Sequence, residues 1–353
     1  MSLLRHSCVA RCAWASFLLL TAAVSAPPAR AQTARALDIQ PGGRQNGLGA
    51  AGVALFGDPS DALWWNPAGL GFADRTSVQY TYAKLLPGLA DLPYRHIAAA
   101  APLGSYGGFG ASFTRLDYGQ LGFLPGSSEE LSPSIAVGVR VHPMLSIGAN
   151  LKWVDVQFGA VSGATISSDI GALLRIQSAP WTFGFGVMYQ NLGGRVFFDE
   201  VDQSAGLGRN FKVGSSVTVP VRLNDKVTAG ATAVLDYNRC DIQSDLATPF
   251  YTWNGGVECQ VTYADVARIA GRIGYYDDPS GQIQDLTYGT GIRAWMLAVD
   301  AGWIPQARDA HLDRVLKLTA TANWASYRGP RRSCRHRSRS ASACTRCSRS
   351  EPT

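Results

Sequence analysis

From Thr76 onward the sequence repeats one pattern, in which apolar residues alternate with small or polar ones at a period of two. Leu145, Ile147, Ala149, Leu151 and Trp153 alternate with Ser146, Gly148, Asn150 and Lys152. Leu316, Leu318, Ala320, Ala322 and Trp324 alternate with Lys317, Thr319, Thr321 and Asn323. Successive side chains of a strand point to opposite faces, so this pattern describes strands with one greasy and one wet face. The runs 134–141 and 181–190 repeat it. A soluble sandwich alternates too, so the connections must decide between the two architectures.

The pattern predicts fourteen strands, over 76–84, 94–103, 106–117, 132–142, 145–157, 165–177, 181–192, 210–221, 226–237, 250–263, 266–276, 284–293, 295–304 and 313–326. Very short turns (104–105, 143–144, 178–180, 223–225, 264–265 and 294) alternate with longer loops (85–93, 118–131, 193–209, 238–249, 277–283 and 305–312). The connection 158–164 is intermediate. An even strand number, strands of about ten residues and loops sorted by parity describe an antiparallel transmembrane β-barrel, whose closure satisfies every backbone group in lipid. By convention the short turns face the periplasm. Aromatics near strand ends, such as Trp153, Trp181, Trp253, Trp295 and Trp324, suit the girdles at the two membrane interfaces.

The start of the chain supports export. Arg5 and Arg11 precede an apolar run from Ala13 to Ala26, and Ala29-Arg30-Ala31 closes it with small residues. That order reads as a signal peptide over 1–31, cleaved before Gln32. No later stretch reaches the ~20 apolar residues of a membrane helix. The whole-chain charge of +6 misleads, because the signal peptide holds three arginines and the segment after Tyr327 eight. Residues 32–327 hold 21 Lys and Arg against 25 Asp and Glu, so nucleic acid is not an expected partner of the folded part.

The segment Gly42–Gly71 is rich in Gly and Ala and carries one short helix signal, with Asp58 as N-cap, Pro59 at the first position and Pro67 as the stop. It is too small to bury a core alone and needs a host, which the barrel lumen offers. Here the sequence resembles the PorV/PorQ group of outer-membrane proteins, related to the FadL-type long-chain fatty-acid transporters. The resemblance rests on Gly42, Arg44, Gly47, Gly49 and Gly52, followed by Asp58, Ala62, Asn66, Pro67, Ala68, Gly69 and Leu70 just ahead of the first strand. It implies a plug at the periplasmic end, in which Asn66 is a hydrogen-bonding pin and Pro67 a fixed turn. The bland alternative is that these residues only cap a short helix against the wall.

The expected organisation is a signal peptide (1–31), a periplasmic plug segment (32–75), a transmembrane barrel (76–326) and a basic Arg/Ser/Cys tail (327–353) that abandons alternation and reads as frameshifted. Arg140, Lys152, Asp169, Arg175, Glu258, Arg268, Arg272, Asp300 and Lys317 fall on wet faces and are expected to point into the lumen, as a polar path or as mutual ion pairs. Gly107, Gly108 and Gly110 could permit a kink that opens the wall sideways, or tight packing of the plug. No cofactor, metal or enzymatic site is expected: His96, His142 and His311 have no partners at ligand spacing. Cys240 and Cys259 fall roughly 30 Å apart at ~3.3 Å per residue, too far to bridge.

Two functions follow from the resemblance. One is protein secretion of the type IX kind, through cargo or translocon contacts. The other is passage of hydrophobic small molecules, for which Leu121, Phe123, Leu124, Phe197 and Phe198 could form a loop patch. Outer-membrane lipid surrounds the barrel in either case.

Overall fold

The computed structural model describes residues 34–120, 126–198, 201, 203–242, 249–278, 283–306 and 314–325. The expected signal peptide and basic tail, His311 and the loop residues Leu121, Phe123 and Leu124 lie outside them. The strands are β1 (Arg75–Leu85), β2 (Leu92–Pro102), β3 (Gly107–Gly119), β4 (Ser128–His142), β5 (Leu145–Phe158), β6 (Val161–Ser178), β7 (Trp181–Gly193), β8 (Arg195–Phe198) and β9 (Gln203–Gly206). They continue as β10 (Gly208–Arg222), β11 (Val227–Ile242), β12 (Phe250–Tyr263), β13 (Ala267–Asp278), β14 (Ile283–Ala294), β15 (Leu297–Ile304) and β16 (Val315–Ala325).

Fourteen of these form a closed antiparallel barrel, in which each strand pairs with its sequence neighbours and β1 pairs with β16 from Arg75↔Ala325 to Ala83↔Lys317. The fourteen expected strands are all present. β8 and β9 are a small hairpin inside the long connection after β7, leaning on β6 through Gly163↔Phe198 and Ala164↔Phe197. Six connections at one end are short (103–106, 143–144, 179–180, 223–226, 264–266 and 295–296), and β1 begins and β16 ends there. We call this the turn end and the other the loop end. The expectation of an intermediate connection at 158–164 is corrected: β5 and β6 run on to Phe158 and Val161, leaving only a tight hairpin.

Alternation sorts the faces as the sequence requires. Ile135, Ile147, Leu151 and Leu318 are exposed on the outside, while Ser134, Ser146, Asn150 and Thr319 are buried inside. An apolar exterior over a polar interior inverts a soluble core and suits lipid. Exposed Trp181, Tyr263, Trp295 and Trp324 ring the turn end, with Trp153, Trp253 and Tyr275 towards the loop end. Tyr237 packs on Tyr251 and Trp253 with ring centroids 5.9 and 4.7 Å away. Both cysteines are free, and Cys240 stands opposite Phe250, nine residues from Cys259.

The inside of the barrel is filled by residues 34–74. Ala34 and Leu37 pack with Val154, Val156, Val196 and Leu207, and Ala36 packs with Ala83, Tyr94, Leu116 and Val315, all towards the loop end. The chain then descends, turns back through Pro59–Asp61 and Ala62–Trp65, and descends again as a 3-10 turn over Pro67–Phe72 into β1. The expectation of a segment confined to the periplasmic entrance is therefore corrected, because it threads the lumen from one end to the other. The short helix is also smaller than expected. Asp58 makes no side-chain cap, and Pro67 ends one turn while starting the next.

Candidate functional site: two cavities divided by the luminal segment

The segment is fixed to the wall by polar contacts on most sides. Asn66, almost fully buried, donates through Nδ2 to the carbonyls of Val53 (3.0 Å) and Ala172 (3.2 Å), and its Oδ1 accepts from Ala68 N (3.1 Å). Ser146 Oγ donates to the Ala68 carbonyl, and Gln190 Nε2 to the Trp64 carbonyl at 2.9 Å. Asp236 Oδ2 accepts from the amides of Gly52 and Val53 at 2.7 and 3.0 Å. Gly69 turns back on Asn66, its amide donating to the Asn66 carbonyl at 2.8 Å. A Cβ on Gly148 would overlap the Pro67–Ala68 backbone, so the wall there must be glycine.

The expected kink at Gly107, Gly108 and Gly110 does not open the wall. β3 pairs without interruption with β2 from Pro102↔Gly108 to Tyr94↔Leu116, and Gly107 pairs with Val139 of β4. The three glycines serve close packing instead. A side chain on Gly108 would meet the Leu70 carbonyl and Ala73, and one on Gly110 would meet Leu63 and the Ala99 carbonyl. Gly107 has a φ of +149° and lies against the Gly138 carbonyl. Small residues here let the luminal segment approach the backbone of the wall.

Eight of the nine expected wet-face charges contact the segment or each other, whereas Arg268 lines the lower end of the lumen and meets Gln260 of the wall. At mid-height Arg44 of the segment meets Glu258 through two contacts of 3.0 and 2.8 Å. Glu258 also takes Arg272 at 2.6 Å, and Arg272 reaches Asp300 at 2.7 Å. Across the lumen Lys152 Nζ lies 2.6 Å from both Asp169 and Asn191 Oδ1. These belts are balanced in charge, and the side chains of Glu258 and Arg272 are fully buried. Burial opposes the Arg44 charge, but the Glu258 carboxylate outweighs it and raises the guanidinium pKa above its ordinary value. Removing one partner of such a pair would leave an uncompensated buried charge, so the Arg44–Glu258 contact holds the segment against the wall.

Above the belts, at the loop end, lies a cavity of about 440 Å³. Its sides are mixed: Leu92, Leu116, Phe250, Ile304, Val315 and Ile39 of the segment line it, together with the charged Asp38, Arg209, Asp241, Asp277 and Asp278. Lower down are two ammonium groups. Lys317 Nζ donates to the Gln40 carbonyl (2.7 Å) and Asn46 Oδ1 (3.2 Å), while Lys212 Nζ stands 4.5 Å from the centre of the Trp64 ring. Among the described residues neither has a carboxylate within salt-bridge distance. Phe197 of the small hairpin is exposed, but it does not line this cavity.

Below the belts, at the turn end, two smaller cavities of about 290 and 260 Å³ flank Phe56–Asp58. Asp58 Oδ1 is shared by Arg75 (2.9 Å) and Arg293 (2.8 Å). Burial alone would raise the Asp58 carboxyl, yet Arg293 and Arg75 together hold it below the usual carboxylate range. Asp61 shows the opposite balance. Burial and the neighbouring Asp58 charge push its carboxyl up to about 7, against the pull of Arg44. Arg140 donates to the Gly71 carbonyl at 3.0 Å and lies 5.2 Å over the Phe72 ring. Arg75 and Arg293 were missed by the sequence reading. Arg293 alternates with Ile292 on a strand whose inward face could have been counted, but Arg75 stands at the first residue of β1 and gives no such signal.

Comparison with solved structures finds the same architecture. The toluene transporter TbuX of Ralstonia pickettii aligns with a TM-score of 0.50 and 14% identity, over 82% of this chain and 99% of that one. The fold is shared. The toluene transporter TodX of P. putida aligns at a TM-score of 0.49 and 11% identity, over 82% of this chain and 100% of that chain. A FadL homologue of Pseudomonas aeruginosa aligns at 0.44 and 15% identity, over 80% and 98%. No protein-family model and no curated protein matches the sequence. At this identity the likeness to TbuX bears on the fold alone: this chain is an outer-membrane-type barrel of fourteen strands.

Proposed function

We propose that this protein carries hydrophobic small molecules across the bacterial outer membrane, with the loop end outside, the turn end in the periplasm and the loop-end cavity as the first binding site. The observation that carries this reading is the cavity itself. Its volume of about 440 Å³ falls in the range of about 300–1,000 Å³ typical of ligand pockets, and Ile39, Leu92, Leu116, Phe250, Ile304 and Val315 give it apolar surface. The lysines below suit a ligand with an apolar body and at most one acidic end. A barrel of the same fold described as a toluene transporter adds support. In this reading the luminal segment is the gate. Its many hydrogen bonds keep the two ends apart, and a ligand passes only when the segment or the wall moves.

The secretion role implied by the resemblance to the PorV/PorQ group has no such support. The barrel that aligns at a TM-score of 0.50 is described as a toluene transporter. The alternative reading is therefore the one to test. Deleting the gene should slow uptake of a labelled apolar compound and leave protein secretion intact, with complementation restoring uptake. Unchanged uptake together with lost secretion would reverse the choice.

A further inference from the structure

The smaller turn-end cavity is rich in cationic hydrogen-bond donors and poor in acids. Of the charged residues lining it, five are arginines (Arg44, Arg75, Arg175, Arg268 and Arg293) and one is an acid, Asp58. Arg44 is already taken by Glu258. Arg75 and Arg293 divide one carboxylate oxygen of Asp58 between them, and Arg75 also reaches Asp74 at 2.9 Å. Among the described residues Arg268 has only the amide oxygen of Gln260, at 3.3 Å. Arg175 has no carboxylate partner among the described residues. The cavity therefore carries an uncompensated positive charge.

Three further observations mark this surplus as a built feature. The register of β13 and β14 sets Arg268 directly opposite Arg293, a like-charge pair that weakens an antiparallel ladder. Nε of Arg293 is buried without a hydrogen-bond partner. The Arg175 guanidinium lies 4.3 Å over the Phe72 ring and 5.8 Å over the Phe56 ring, so the segment holds it in place without neutralising it. Guanidinium forks match the planar oxygens of carboxylates and phosphates, and fixed forks bind them with little ordering cost.

We propose that the turn-end cavity binds a small oxyanion, carboxylate or phosphate, between Arg175, Arg268 and Arg293. The anion would relieve the like-charge pair and tie β6, β13 and β14 together beneath Phe56–Asp58. Bound there, it latches the luminal segment from the periplasmic side. The site stands whatever the loop-end cavity binds, because no residue proposed to hold the anion lines that cavity.

The test is a titration of the purified full chain in detergent with inorganic phosphate and, separately, with acetate, at constant ionic strength set by chloride. The expected result is a saturable rise in unfolding temperature with at least one of the two, which also names the preferred oxyanion. Arg268→Gln should raise the unfolding temperature without anion, by removing the like-charge pair, and weaken the anion response at least tenfold. Arg175→Gln should weaken it as well. A folding defect would instead lower the starting temperature, so the two effects separate. A response to both anions no different from chloride, or one equally strong in both variants, overturns the proposal.

Discussion

The two ends of the lumen share one wall and one filling segment, yet they are built for opposite chemistry. The loop end offers apolar surface interspersed with aspartates, above two lysines whose charges are met by carbonyls and a ring. The turn end offers arginines that outnumber their acids. Between them, the Arg44–Glu258–Arg272–Asp300 chain and the Lys152–Asp169 pair close the middle. The difference teaches that the inward face of such a barrel is not a uniform polar lining. It is zoned along its axis, and the luminal segment sets the zones.

The belt is the first place to break this contrast. Glu258→Ala leaves Arg44 and Arg272 buried without their shared acid, a loss of about 3–5 kcal/mol. Denaturant unfolding in micelles should show it, and the two ends should become continuous to water. The next break is the pin. Asn66→Ala removes three buried contacts and leaves the Val53 carbonyl and the Ala68 amide without this partner, which should cost about 1–3 kcal/mol by the same assay. If both variants unfold like the wild type, the segment is not held as described.

An effect of pH sharpens the contrast at the turn end. The Asp61 carboxyl stands at about 7 against an ordinary 3.8, so the folded state keeps a proton that the unfolded chain has lost. Its contribution to stability is therefore present at low pH and is lost as the pH rises through this window. Asp61→Asn keeps the neutral form at every pH. The stability difference between wild type and variant should change between about pH 4 and pH 7 and be flat above that, as read from thermal unfolding across the range. A difference that stays constant through the window would remove Asp61 from the account.

How much of this was legible in the sequence follows from what each part depends on. The wall depends on local alternation, so Leu145 to Trp153 and Leu316 to Trp324 could be assigned to faces from their spacing alone. Strand ends were less legible. Ser128 to Leu131 and Val161 to Ala164 pair high above the apolar band, where side chains no longer need to alternate for lipid. The inward charges were also readable, but not their pairing, because Glu258 meets Arg44 from 214 residues away and Arg272 from the next strand. The luminal segment was the least legible. Its path is set by hydrogen bonds to the backbone and by glycine clearances on distant strands, neither of which leaves a period in its own sequence. The glycines of β3 were ambiguous for the same reason, since a kink and a close contact require the same residue.

The proposed binding of apolar ligands in the loop-end cavity alone can be followed by titrating the purified protein with N-phenyl-1-naphthylamine and reading the fluorophore's emission. Leu116→Trp fills the loop-end cavity and should weaken binding at least tenfold, whereas Thr182→Phe, in the turn-end cavity, should leave it unchanged. Equal binding by the wild type and Leu116→Trp, or loss of binding only in Thr182→Phe, would contradict the account.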